Sequence, residues 1–187
     1  WDVVRLYEEM KKALAYCANK ESVLVDSFGI DTWGVDFGLF AKDGTLLGMP
    51  YAYRDIQTNG IMDKAFKVVS REKIYELTGI QFMQFNSIFQ LYAMKVNKSP
   101  LLDIADKLLF IPDIFNFWFT GEKKCDFSFA TTTQLYNPKR KGWETELFRE
   151  FDLNVRMMPE ILEPGEIYAK MDPLICKETG INQMPVV

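Results

Sequence analysis

Four consecutive residues, Asp31, Thr32, Trp33 and Gly34, combine groups that could bind a polyhydroxylated ligand. The indole of Trp33 is a flat apolar surface on which the aliphatic face of a sugar ring packs well. Gly34 has no side chain, so a ligand could approach its backbone N–H closely. Asp31 and Asp36 could accept hydrogen bonds from ligand hydroxyls. A strand bend with a core tryptophan and two hydrogen-bonded acids explains the same residues equally well.

The sequence contains no histidine. Catalysis by a Ser-His-Asp or Cys-His arrangement within this chain, and metal binding by histidine, are therefore excluded. Acid–base chemistry would depend mainly on aspartate and glutamate. The triplet Asp36, Phe37 and Gly38 matches the magnesium-binding triplet of protein kinases, but the histidine-containing catalytic loop and a glycine-rich phosphate loop are both missing. We interpret that match as coincidental.

The candidate residues lie where two predicted strands meet. Apolar residues alternate with small and polar ones on both sides, which predicts strands over 22–30 and 35–40. Lys42, Asp43 and Gly44 predict a hairpin turn before a returning strand over 46–48. Strand ends of this kind are where α/β proteins place their ligands. This junction is therefore the first candidate site.

The rest of the chain reads mainly as helices. Apolar spacing, caps and stop signals predict helices over 3–17, 60–69, 70–79, 87–97, 113–120 and 143–151, with a further helix starting at 99–100. Residues 108–111 predict a short buried strand, 126–134 a loop or irregular strand, and 185–187 a strand just beginning. Helices alternating with strands favour a mixed sheet covered by helices.

Composition restricts the possible partners. A chain of 187 residues with 48% hydrophobic residues can form one good core, and no repeat or clear linker divides it. The net charge of -4 and the lack of a basic stripe argue against nucleic-acid binding. No apolar run approaches the roughly 20 residues that span a membrane. Three isolated cysteines are typical of buried thiols in a reducing compartment, so we expect a cytoplasmic protein.

Several motifs, taken together, resemble one family. Residues 27–37 resemble the substrate-side motif of the rhamnulokinase branch of the FGGY carbohydrate kinases. The remaining motifs follow in the family's order: Tyr53 to Asp55, Thr78 to Phe82, Phe85 to Ser87 with Gln90 and Leu91, Ile111 to Asp113, Thr120 and Gly121, Ala130 to Leu135, Trp143, and Pro164 with Gly165. One departure is Phe129, which stands where family members usually have asparagine.

The resemblance implies an α/β fold of the actin-like, ribonuclease H-like type, with a mixed sheet flanked by helices. Residues 1–187 would form an incomplete N-terminal, sugar-binding domain of a two-domain kinase. Its reaction would be transfer of phosphate from ATP, with Mg²⁺, to the 1-hydroxyl of L-rhamnulose after an aspartate deprotonates that hydroxyl. Another ketose or deoxysugar, such as fuculose or xylulose, remains an alternative substrate. A regulatory module that binds sugar without catalysis is the alternative from another class.

By the same resemblance, Trp33 and Gly34 are the main candidates for sugar binding, with Asp31, Phe85 and Asn86 as further candidates. The phosphate-binding strand would precede Trp1, and the catalytic base and nucleotide-binding domain would follow Val187. We therefore expect no catalytic or metal-binding residue within the chain, no ATP or Mg²⁺ bound by the segment alone, and no phosphoryl transfer by it. Asp36 would then be a positioning or structural group.

Overall fold

The computed structural model describes residues 1–20 and 24–187 as short strands alternating with helices. Its helices are α1 (Val3–Ala18), α2 (Ile61–Ala65), α3 (Arg71–Thr78), α4 (Ser87–Val96), α5 (Leu101–Ile104), α6 (Ile111–Thr120), α7 (Phe127–Thr132), α8 (Thr145–Glu150) and α9 (Pro173–Thr179). Its strands are β1 (Phe37–Phe40), β2 (Lys107–Phe110), β3 (Lys124–Asp126), β4 (Tyr136–Asn137), β5 (Gly142–Trp143), β6 (Glu160–Leu162), β7 (Ala169–Lys170) and β8 (Pro185–Val186). Short 3₁₀ turns cover Ile56–Thr58 and Val155–Met157.

Local signals set the ends of several helices. The Asp2 carboxylate accepts from the Arg5 N–H at 3.0 Å at the start of α1, and the Ser70 hydroxyl accepts from the Lys73 N–H at 3.2 Å at the start of α3. The α3 helix ends at Gly79, whose φ of +69° suits glycine. These caps confirm the predicted starts and the predicted stop.

The α1 helix packs by one apolar face, as the apolar spacing over 3–17 predicts. It packs on the core through a stripe formed by Val3, Tyr7, Met10, Leu14 and Ala18. Cys17 lies off this stripe and is exposed, so the prediction of buried thiols is wrong for it, whereas Cys125 is buried. No helix in residues 1–20 and 24–187 has the length and apolarity required to cross a membrane.

The antiparallel pair β1–β2 separates two hydrophobic clusters. Its register runs from Phe37 opposite Phe110 to Phe40 opposite Lys107. Because strand side chains alternate between faces, Phe37 and Leu39 enter one cluster while Phe40 enters the other. All four residues of β1 are buried. The start of this strand, where the candidate site lies, is therefore held from both faces.

The other strand pairs are short. β3 and β6 pair in parallel, whereas β4–β5 and β7–β8 are antiparallel. The predicted hairpin turn at 42–44 is present. The predicted returning strand over 46–48 is reduced to one isolated bridge, between Leu46 and Phe40, although the Leu47 N–H donates to the Leu39 carbonyl at 2.7 Å. Parallel and antiparallel pairs with helices between them give the mixed α/β arrangement that the sequence predicts.

Two further predicted elements differ in kind from the structure. Residues 22 and 23 of the predicted first strand lie outside the described residues. The remainder, 24–30, makes a single bridge between Phe28 and Val186, because Phe28 alone exchanges backbone hydrogen bonds with the neighbouring Pro185 and Val187. A strand requires consecutive backbone hydrogen bonds to a partner strand, and residues 24–30 form only this one bridge.

The second difference is α7, which replaces the predicted loop or irregular strand over 126–134. Asp126 caps it by accepting from the Ser128 N–H at 2.6 Å. The hydroxyls of Thr131 and Thr132 donate to carbonyls one turn earlier, at 2.8 and 2.9 Å. Threonine is a weak helix former, so the sequence did not predict a helix here. The Asp126 cap and the threonine hydroxyl hydrogen bonds support the helix nevertheless.

Candidate functional site

One cleft of about 610 Å³ contains four of the five predicted site residues. Trp33 and Gly34 come from the segment before β1, and Phe85 and Asn86 from the segment before α4. The complete lining consists of Trp33, Gly34, Val35, Tyr53, Ile80, Gln81, Met83, Phe85, Asn86, Thr131 and Thr132. The tertiary fold therefore brings together candidates that lie about fifty positions apart in the sequence.

Asp36 lies behind the cleft and is fully buried. Its Oδ2 accepts hydrogen bonds from the indole N–H groups of Trp1 and Trp33 at 2.7 and 3.0 Å, and from the backbone N–H of Tyr53 at 3.0 Å. Its Oδ1 accepts from Gln90 Nε2 at 2.9 Å. Four N–H donors thus satisfy this buried carboxylate, which is consistent with the structural or positioning role expected for it.

The backbone before Asp36 is strained. Val35 has a φ of +68°, which is unusual for a β-branched residue, and the Asp36 N–H closes a tight turn onto the Gly34 carbonyl at 2.9 Å. The Val35 carbonyl accepts from Ser87 Oγ at 2.6 Å and from Gln90 Nε2 at 3.3 Å. Such strain costs about 1–3 kcal/mol and persists where surrounding contacts fix it. Residues of α4 provide those contacts.

Asn86 fixes the loop on the opposite side. It is buried, and its Nδ2 donates to the Gln81 carbonyl at 2.9 Å and to Gln134 Oε1 at 3.0 Å. Gln134 in turn donates to the Ile80 carbonyl at 2.9 Å. Both Nδ2 hydrogens of Asn86 are used in these bonds, so its carbonyl oxygen is the part of the amide that a ligand could reach.

Aromatic rings and hydroxyl groups complete the walls. The rings of Tyr53 and Phe85 contact edge to face, with centroids 5.6 Å apart. Gly34 faces Thr132, and a Cβ at position 34 would lie 3.3 Å from both Oγ1 and Cγ2 of that threonine. Within the cleft, apolar surfaces therefore stand beside a few polar atoms, as in many small-molecule sites.

Asp31 does not line this cleft. It lies at a second cavity of about 240 Å³, whose walls include Ile30, Pro112, Asp113, Asn116, Asp126, Ser128, Phe129, Leu162, Tyr168 and Val187. Phe129, which stands where members of the resembled family usually have asparagine, also lines this second cavity. The structure thus separates Asp31 from the four other predicted residues.

The second cavity contains buried polar atoms without partners. Within residues 1–20 and 24–187, neither carboxyl oxygen of Asp113 nor Oδ1 of Asn116 accepts a hydrogen bond of normal geometry, and the nearby backbone N–H groups of Asp126 and Phe110 offset only part of the effect of burial on the pKa of Asp113. Burial, with a smaller contribution from the nearby Asp126 charge, raises the pKa of Asp113 well above its ordinary value of 3.8. The neutral form of this acid is therefore favoured.

Seven of the cleft residues are not among the predicted sugar-binding residues, namely Val35, Tyr53, Ile80, Gln81, Met83, Thr131 and Thr132. Tyr53, Ile80 and the two threonines belong to motifs that carried the family resemblance, so a signal was present. Their shared wall depends on contacts between distant segments, which spacing along the chain cannot show. In the part of the chain that the structure describes, no group of three or more His, Cys, Asp or Glu side chains is placed to hold a metal ion.

The comparison with protein families gives a match over the whole chain. The N-terminal domain of the FGGY family of carbohydrate kinases matches residues 1–187. Curated relatives include rhamnulokinases from Bacteroides thetaiotaomicron and Oceanobacillus iheyensis, which are 39% and 36% identical over 187 and 182 residues. These alignments cover 100% and 97% of this chain but 38% of each relative. The chain thus spans well under half the length of the relatives it matches.

Solved structures show the same fold. A xylulose kinase from Lactobacillus acidophilus superimposes with a TM-score of 0.91 at 19% identity, covering 100% of this chain and 38% of that one. A glycerol kinase from Plasmodium falciparum gives a TM-score of 0.82 at 18% identity, covering 100% and 39%. The predicted fold class is confirmed, and the match over residues 1–187 places the chain in the FGGY family of carbohydrate kinases.

Proposed function

We propose that the intact protein carrying this chain is a sugar kinase that phosphorylates L-rhamnulose at its 1-hydroxyl with MgATP. The rhamnulokinases at 39% and 36% identity support the choice of sugar. Their greater length supports the proposal that residues 1–187 form part of the N-terminal domain of a longer enzyme.

The cleft chemistry carries the proposal for sugar binding. The hydroxyl protons of Thr131 and Thr132 are donated to backbone carbonyls, and both Nδ2 hydrogens of Asn86 are donated within the protein. What remains for a ligand is the free acceptor oxygens of these side chains, with the Gln81 amide and the Tyr53 hydroxyl also on the lining, beside the aromatic rings of Trp33 and Phe85. A ligand that donates hydrogen bonds from several hydroxyls and presents an apolar ring face fits such a site.

In this proposal the segment binds and orients the sugar. Asp36 already accepts four N–H groups and is buried, so it is not available to deprotonate a sugar hydroxyl. By the resemblance to the FGGY carbohydrate kinases, we assign the catalytic base and MgATP binding to parts of the protein beyond this chain, where MgATP would supply the phosphoryl group and neutralise its developing charge. The isolated segment would then be inactive.

A coupled assay of ADP formation tests the substrate. We expect the intact protein to give its highest kcat/KM with L-rhamnulose in a panel that includes L-fuculose and D-xylulose. Turnover of another ketose without turnover of L-rhamnulose would overturn the choice of sugar. Binding of L-rhamnulose without turnover of any sugar in the panel would instead favour a regulatory module.

The same assay tests the segment. Purified residues 1–187, supplied with ATP, Mg²⁺ and L-rhamnulose, should form no ADP above the rate of a sample without sugar. Sugar-dependent ADP formation by the segment alone would contradict the assignment of the base and the nucleotide site to other parts of the protein.

A further inference from the structure

We propose that Asp36 is the positioning residue of the cleft: it acts through Trp33, holding the indole so that its ring lies on the cleft wall for the sugar. The expected effect on sugar binding rests on the proposed function. The anchoring of the Trp33 indole by Asp36 can be measured without any ligand. Asp36 is absent from the cleft lining and 0% exposed, so it cannot itself contact the sugar.

A single carboxylate oxygen anchors two rings. Oδ2 of Asp36 accepts from Trp33 Nε1 and Trp1 Nε1, and the two indole rings lie with their centroids 4.2 Å apart at an interplanar angle of 41°. A charged acceptor strengthens both bonds. The Trp33 ring is therefore fixed from its N–H edge by Asp36 and from one face by Trp1.

The same residue connects the other aromatic residues of the cleft. Oδ2 also accepts from the Tyr53 backbone N–H, while Oδ1 accepts from Gln90 Nε2. Gln90 Nε2 donates in turn to the Phe85 carbonyl at 2.8 Å. Asp36 thus links, directly or through Gln90, the three segments that bring Trp33, Tyr53 and Phe85 to the cleft.

The substitution Asp36→Asn probes this arrangement with little change in shape. An asparagine has one uncharged amide oxygen, so either that oxygen takes the place of Oδ2 and the NH₂ group faces Gln90 Nε2, or the NH₂ group faces the three N–H donors at Oδ2. In both orientations we expect the indole N–H of Trp33 to lose its charge-assisted hydrogen bond. An ¹⁵N-labelled intact protein would show this as an upfield shift and faster exchange of the Trp33 indole proton, which is assigned by its disappearance in Trp33→Phe.

A double-mutant cycle then separates positioning from general damage. Asp36→Asn should weaken L-rhamnulose binding about tenfold, the scale expected for one lost charge-assisted hydrogen bond. Trp33→Phe keeps an aromatic ring without the N–H, so in that background Asp36→Asn should weaken binding less than about twofold. Full additivity of the two effects would overturn the proposal.

Controls keep the outcomes distinct. Asp63→Asn removes an exposed carboxylate on α2 and should leave both the indole signal and sugar binding unchanged. If Asp36→Asn does not fold, the L-rhamnulose affinity of Trp33→Phe tests the proposal by itself. An affinity equal to that of the wild type would show that the indole N–H hydrogen bond is not needed, and would overturn the proposal. If the wild type binds no sugar, the proposed function fails, whereas the indole signal still tests the anchoring.

Discussion

The cleft and the second cavity each have a buried aspartate beside them, and the surroundings of the two carboxyl groups are opposite. Asp36 receives four N–H donors from three side chains and one backbone amide. Asp113 accepts no hydrogen bond of normal geometry in residues 1–20 and 24–187, and burial raises its pKa despite the nearby backbone N–H groups of Asp126 and Phe110. The comparison teaches that burial alone does not make an acid an organising group, because converging donors must offset the loss of water.

The difference extends to the neighbours of each acid. At the cleft, Asn86 and Gln134 form a connected hydrogen-bond network that joins loop 80–86 to the segment after α7. Beside Asp113, Oδ1 of Asn116 is also unpartnered among the described residues. We therefore expect substitutions at the cleft to remove hydrogen bonds and destabilise the protein. A substitution of Asp113 at the second cavity should instead remove the cost of burying a carboxyl group and stabilise the protein. The following predictions test that contrast.

The largest effect should come from Asn86→Ala. This change leaves the Gln81 carbonyl and Gln134 Oε1 without their donor in a buried setting, so the free energy of unfolding should fall by about 2–3 kcal/mol. The midpoint of urea unfolding of the intact protein measures it. Asn97→Ala, at an exposed asparagine just after α4, is the matched control and should change the free energy by less than about 0.5 kcal/mol. Equal effects at the two positions would show that the network contributes little.

At the second cavity, Asp113→Asn should stabilise the protein near neutral pH. Asparagine has nearly the shape of the neutral acid and removes the cost of protonating this carboxyl when the chain folds near neutral pH. We expect a gain of about 1–2 kcal/mol at pH 7, the scale of a buried acid with a raised pKa. Thermal unfolding from pH 5 to pH 8 measures it.

The direction of the pH dependence of stability follows from proton binding by Asp113. Because the folded pKa of Asp113 is raised above 3.8, the unfolded chain releases this proton first as the pH rises. The wild type should therefore lose stability above about pH 4, by up to about 1.4 kcal/mol per pH unit, until the folded pKa is passed. The advantage of Asp113→Asn should grow over that window. An advantage that does not change with pH would mean that Asp113 is ionised and paired in the intact protein.

A smaller effect is expected for Gly34→Ala. The added Cβ would lie 3.3 Å from Cγ2 and Oγ1 of Thr132, which narrows the cleft without removing a hydrogen bond. Sugar affinity should fall about fivefold, or roughly 1 kcal/mol, with little loss of stability. Calorimetric titration with L-rhamnulose measures it.

A second substitution tests the steric explanation. Thr132→Ser keeps Oγ1, which donates to the Phe129 carbonyl, and removes the crowded Cγ2. In the Gly34→Ala background it should restore part of the affinity. No recovery would indicate that the alanine acts through the strained turn at Val35 and Asp36 rather than through contact with Thr132.

Local features were predicted well from the sequence. The caps at Asp2 and Ser70 and the stops at Gly79 and Gly121 act within one turn of the chain, so their residue types alone indicate them. Trp33 and Gly34 were identified as candidates from their own chemistry. Phe85 was added only by the family resemblance, since its type and neighbours carry no chemical signal of a ligand.

Features that depend on distant contacts were not predicted. The donors that surround Asp36 come from Trp1, 35 positions earlier, and from Gln90, 54 positions later. From the residue types alone, Asp36 could therefore either contact a ligand or serve as a hydrogen-bonded structural acid. The contribution of Thr131 to the cleft was likewise hidden, because it depends on α7, a helix that threonine propensity disfavours.

The smallest effect is expected for Asp31, which remains a predicted sugar ligand. Its exposed side chain lies at the second cavity rather than at the cleft, so Asp31→Asn should change L-rhamnulose affinity less than about twofold. Asp36→Asn is the contrasting variant, since it removes the same charge five positions away and should weaken binding about tenfold. Calorimetric titration of both variants separates the two cavities. A loss at Asp31 as large as at Asp36 would mean that the ligand reaches both cavities, and the contrast between them would no longer hold for binding.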